Sequence, residues 1–185
     1  MRLSIILFIA VTSLMNHSLA ANLHLAIVTA SNAETPGRGR SFAGILTRVE
    51  RPVRRAVELA LFESKTSFEA FGIVPELQVI DIDATKPLGE QLKAIRSTAL
   101  TILDLPRPEF IEAAKILDQK GQTIVNVRHP DTDLRDTLCL PSLFHTIPSE
   151  RMYFDALGQF LIYRGWRKVL IVHGPTEKDK VRTKI

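Results

Sequence analysis

Leu143-Phe-His-Thr-Ile-Pro-Ser149, an apolar stretch, and then Gly165-Trp-Arg-Lys-Val-Leu-Ile-Val172 together decide how this chain is read. Ser142 to Thr146 reads as a short strand. Pro148 and Ser149 then set up a helix start, because a serine hydroxyl accepts from the unpaired amides of a first turn. Met152, Tyr153, Ala156, Leu157, Phe160 and Leu161 recur at helical spacing and predict a buried stripe. Gly165 stops that helix. Lys168 to Val172 reads as a further strand. A new α/β unit is thus opened near the end of the sequence.

Four strand–helix units precede it. Leu23 to Val28 predicts the first strand. A helix over 52–71 follows, with Val53, Ala56, Val57, Ala60, Leu61 and Phe68 on one face, Pro52 in its first turn and Gly72 as its stop. Glu76 to Asp83 predicts the second strand. Thr85 is expected to cap a helix reaching Arg96, with Leu88, Leu92 and Ile95 inward. Leu100 to Leu103 is the third strand, and Pro108 to Lys120 the third helix, with Phe110, Ala113, Ala114 and Leu117 inward. Gly121 ends it, and Thr123 to Val127 is the fourth strand. Residues 128–141 carry two prolines and a run of charges, and read as an irregular excursion.

This alternation predicts an α/β fold: a parallel sheet with helices on both faces. In such sheets a ligand sits beyond the carboxyl ends of the strands. That rule selects Thr29, Ser31 and Asn32 after the first strand and Asp83 after the second. It adds Asp104 and Arg107 after the third, and Arg128, His129 and Asp131 after the fourth.

The first twenty residues read as a signal peptide. Arg2 is the only charge before Glu34, an apolar run follows, and Ser18-Leu19-Ala20 supplies small residues for cleavage. The apolar run is shorter than the ~20 residues of a bilayer span, and Asn16 and His17 follow it. A stable membrane anchor after cleavage is not expected. The net charge of +4 is mildly basic and says little about partners. The single cysteine, Cys139, excludes a disulfide scaffold and is expected as a small buried residue.

No motif for chemistry survives inspection. Gly37, Gly39 and Gly44 match neither a dinucleotide fingerprint nor a P-loop, since Ile45 stands where the P-loop lysine belongs. The stretch reads as a flexible loop. Arg38, Arg40, Arg48, Arg51, Arg54 and Arg55 form a basic cluster, best read as a solvated face. The cluster reads as lacking a series of interleaved aromatic residues to stack bases, and with an exported chain no nucleic-acid binding is expected. His24, His145 and His173 show no metal-ligand spacing. No G-x-S-x-G is present, so no catalytic residues, metal or cofactor are assigned.

The order of these elements, with the phrases over 143–149 and 165–172, resembles the type I periplasmic solute-binding proteins of ABC transporters, the branched-chain amino-acid-binding group. There a phrase like F-R-T-I-P-S marks the crossing between two lobes, and G-W-K-K-V-A-I-I opens the second. Arg54 to Glu63 resembles the family's first helix, and Asp81 or Asp83 the acid closing its second strand. Residues 127–136, the crossing phrase and Asp155-Ala-Leu157 look similar to a subgroup associated with PQQ-dependent alcohol oxidation.

The resemblance implies a signal peptide over 1–20, a first lobe over 21–145, and a crossing helix with an incomplete second lobe over 146–185, the whole a truncated form. It implies a periplasmic binding component rather than an enzyme, with a small-molecule solute and a membrane permease as partners. The candidate ligand residues are Thr29, Ser31, Asp104, Arg128 and His129. Leu103-Asp-Leu-Pro106 replaces the family's G-P-x-x-S, and a negative Asp104 would repel the carboxylate of an amino acid. The rival readings are a secreted α/β enzyme and a receiver-like signalling domain. The second rests on Asp104 at the end of its strand.

Overall fold

The computed structural model describes residues 21–30, 40–42, 45–47, 53–97, 99–176 and 180. The leader over 1–20, Ser31, Asn32 and the glycines 37, 39 and 44 lie outside them. The described residues hold seven strands: β1 (Ala21–Thr29), β2 (Arg40–Phe42), β3 (Ile45–Thr47), β4 (Ile73–Asp81), β5 (Leu100–Asp104), β6 (Ile124–Asn126) and β7 (Leu143–His145). The helices are α1 (Val53–Glu63), α2 (Lys65–Ala70), α3 (Leu88–Gln91), α4 (Arg107–Gln119) and α5 (Glu150–Tyr163). Two 3₁₀ turns, Leu92–Ala94 and Thr132–Leu134, complete the set.

Five strands form one sheet in the order β4-β1-β5-β6-β7, and every pairing in it is parallel. The apolar runs of β1 and β5 suit this, because a parallel strand in the middle of such a sheet is covered on both faces. Sequence and structure agree on an α/β fold built on a parallel sheet with helices. In and beside the stretch read as a flexible loop, β2 pairs antiparallel with β3.

Alternate residues of a strand face opposite sides of the sheet. Ala26 and Val28 of β1 join Leu103, Ile124 and Leu143 in one core. Leu88, Leu92 and Ile95 around α3, with Phe110, Ala113, Ala114 and Leu117 of α4, close over it. Each of these large side chains contributes on the order of 1.5–3 kcal/mol when fully buried. The side chains read as inward are the ones buried, but the helix expected to reach Arg96 is only α3 and a 3₁₀ turn, with Ile95 extended beyond both. Gly72 and Gly121 take φ of 64° and 66° where chain leaves α2 and α4, a backbone that residues with a Cβ rarely adopt.

On the other face, Leu25, Ile27 and Ile102 are buried, while Val79 and Phe144 are exposed. α2 packs along β4.

Several expectations are corrected. The single helix over 52–71 is two, broken at Ser64, and α1 buries none of its side chains. Thr85 does not cap a helix. Pro87 holds the residue before α3, and Thr85 instead donates its amide and hydroxyl to the Asp83 carboxylate, at 2.9 and 2.6 Å. These bonds and Lys86 hold the Asp83 carboxyl down at about 2. Cys139 is exposed rather than buried. The stripe of α5 is also exposed: no residue of that helix is buried. Lys168 to Val172 forms no strand, and a lone extended segment has no ladder to pair with. Among the described residues, nothing covers the apolar side of α5.

Candidate functional site

The carboxyl ends of the strands bring three of the expected residues together. Thr29 ends β1 and is in register with Asp81 of β4 on one side and Asp104 of β5 on the other. Parallel neighbours lie ~4.8 Å apart, so these residues share one face of one edge. Arg128 follows β6 by two residues, and its Nη1 lies 3.4 Å from Asp104 Oδ1. Both side chains are 22% exposed, so the pair is shielded without being sealed.

Asn126 shapes this corner. It is fully buried at the end of β6. Its Oδ1 accepts from the backbone amides of Arg128 and His129, at 3.1 and 2.9 Å. Its Nδ2 donates to the His129 carbonyl at 2.6 Å and lies 2.9 Å from His145 Nδ1. A side-chain amide that mimics backbone in this way closes a tight turn. The turn sends Arg128 back over the end of β5.

His129 takes a different place. Its ring is turned inward, with Nε2 2.8 Å from the Leu105 carbonyl and the Phe110 ring centroid 4.8 Å away. Burial pushes its pKa below the ordinary histidine value, against the opposing pull of the Leu105 carbonyl and Asp131. The neutral imidazole donating from Nε2 fits this position. His129 is thus a strut beneath the site. Asp83 is engaged with Thr85 and Lys86, outside the corner.

A second ion-pair group buttresses the same loop. Arg107, at the start of α4, lies 3.3 Å from Asp131 through Nη1 and donates from Nη2 to Asp133 Oδ2 at 2.6 Å. Asn126 and Asp133 escaped the sequence reading. Asn126 sat inside a strand, and only its burial beside a turn marks its role.

An open cleft of about 270 Å³ lies away from this corner, beside the middle of β1 and β4 and just ahead of β5. Its polar residues satisfy one another: Arg96 Nη1 bonds to Glu76 and lies 2.9 Å from His24 Nδ1. Among the described residues, no three His, Cys, Asp or Glu side chains are grouped to hold a metal ion. No helix among them is long and apolar enough to cross a membrane.

No family model matches the sequence, and no curated protein does either. In fold, the chain is similar to a solved ABC transporter substrate-binding protein from Desulfitobacterium hafniense, with a TM-score of 0.60 and 17% sequence identity. The match covers 88% of this chain and 45% of that one, so the chain spans about half the length of this solved relative. What the two share is the α/β fold.

Proposed function

We propose that this chain is a solute-binding lobe of a periplasmic ABC-transporter protein, and not an enzyme. The observation that carries the reading is the corner of Thr29, Asp104 and Arg128 at the carboxyl ends of the strands, on a fold shared with an ABC transporter substrate-binding protein. Ligands of parallel α/β sheets bind at that edge.

The solute is small and polar, held between this lobe and a second one, and delivered to a permease. Asp104 accepts from its hydroxyl or ammonium groups, and Thr29 supplies a hydroxyl contact. Arg128, already neutralised by Asp104, orients a polar group rather than capturing a carboxylate. Ser31 and His129 belong to the same candidate set, with His129 acting from below. The leader over 1–20 exports the chain. The crossing phrase Leu143–Ser149 supports the finer placement near the proteins associated with PQQ-dependent alcohol oxidation.

Calorimetric titration of the full chain against polyols, short-chain alcohols, amines and amino acids tests the reading. Binding that is abolished by Asp104→Asn supports it. Turnover of an ester or phosphate substrate at this edge, with no solute bound, would overturn it.

A further inference from the structure

The segment from Asn126 to Arg135 has two sides. One side carries the solute corner: Arg128 meets Asp104, and Asp131 and Asp133 meet Arg107. The other side is fastened to the crossing into α5. Thr146 donates its amide to the Asn126 carbonyl at 3.1 Å, and its hydroxyl reaches the same oxygen. The Glu150 amide, in the first turn of α5, donates to the Pro130 carbonyl at 2.7 Å. The Arg151 amide lies 3.4 Å from Thr132 Oγ1, and Arg135 donates to the Ile147 carbonyl.

The Asn126 side chain is bonded to both sides. It orders the Arg128 turn through three backbone bonds and reaches His145 of β7 with its remaining donor. It is buried, so none of these bonds is replaced by water when it is lost. The contact also sets the His145 tautomer, since Nδ1 must accept. By contrast, α5 buries no side chain and is held chiefly by its first turn. A helix anchored chiefly there moves with its anchor.

We propose that Asn126 is the positioning residue of the solute corner, and that through His145 it couples the placement of Arg128 to the orientation of the β7–α5 crossing. Displacing Arg128 from Asp104 shifts the Asn126 amide, and the shift reaches the anchor of α5. This deepens the solute-binding reading and rests on it for its meaning, although its test uses no solute.

Amide hydrogen exchange and the His145 ring signals are followed by NMR in the full chain. Asp104→Asn removes the ion pair with Arg128 and leaves every residue of the loop in place. It is expected to speed exchange of the Glu150 amide roughly tenfold and to shift the His145 ring signals, with the Ile27 and Leu103 amides unchanged as a control on the fold. In an Asn126→Ala background the same substitution should no longer move either signal. If Asn126→Ala does not fold, Asn126→Asp serves: it keeps the acceptor for the Arg128 and His129 amides but loses the donors to the His129 carbonyl and to His145, and it must uncouple them too. The proposal is overturned if Asp104→Asn changes exchange only around Arg128, or if its effect at Glu150 survives loss of the Asn126 amide. Failure of solute titrations would leave this result standing, and failure here would leave the solute reading intact.

Discussion

Arg128 reaches back over the end of β5 to Asp104, placing its Nη1 3.4 Å from Oδ1 although the two residues are 24 positions apart in the chain. The pair joins the ends of two neighbouring strands and lies beside Thr29. Partial exposure limits its worth to about 1 kcal/mol. Asp104→Ala is therefore expected to lower unfolding stability by no more than about that amount in a urea melt, while removing solute binding. A loss several times larger would mean that the pair serves the fold instead.

Phe110 packs fully buried at the base of α4, its ring beside His129. Phe110→Ala is expected to cost about 3–5 kcal/mol through lost burial and the cavity left behind. Chemical denaturation measures this directly. A cost under about 1 kcal/mol would show that the core relaxes around the gap.

Both His129 and His145 are depressed below the ordinary value of 6.5, chiefly by burial, with Arg135 adding to the effect at His145. Each native ring resists a proton that the unfolded chain accepts. Their contribution to stability is complete above pH 6.5 and is lost as the pH falls through the folded values. Urea midpoints measured downward from pH 7.5 should fall below about pH 6.5, and His145→Gln should flatten part of that fall. An unchanged slope in the variant would remove His145 from the account.

Ser149 is buried, and its Oγ accepts from the Met152 amide at 3.2 Å, capping α5. Because α5 buries no side chain, the cap is a large share of what holds it. Ser149→Ala should cost about 1 kcal/mol, seen as lost helicity by circular dichroism. No change in helicity would mean that the helix is held along its length.

Leu157 is 51% exposed on α5. Leu157→Ala should change the stability of this chain by less than about 0.5 kcal/mol. A cost of 2 kcal/mol or more, typical of a core leucine at the low end, would place that face against a partner.

The outcome of each sequence reading follows from the kind of interaction involved. The burial of Phe110, Ala113, Ala114 and Leu117 was legible because helical periodicity repeats a local rule, whereas Leu88, Leu92 and Ile95 are buried although the helix that was to carry them stops at Gln91. The same rule misled at α5, where Met152, Tyr153 and Phe160 recur correctly and yet lie exposed. Periodicity says which side chains share a face, not whether anything lies opposite that face. Thr85 misled for a similar reason: a good capping residue found a closer partner in Asp83.

The sequence by itself determined the α/β alternation, most strand ends, and hence that Thr29, Asp104 and Arg128 would gather at one edge. That follows because strand direction and side-chain alternation are set locally, and parallel pairing then aligns the ends. Only the tertiary structure decided that Arg128 turns onto Asp104, that His129 faces inward to Leu105, and that Asn126 ties the corner to His145. These depend on hydrogen bonds whose geometry is defined only once β5, β6 and β7 lie side by side, and no local preference of the chain encodes them.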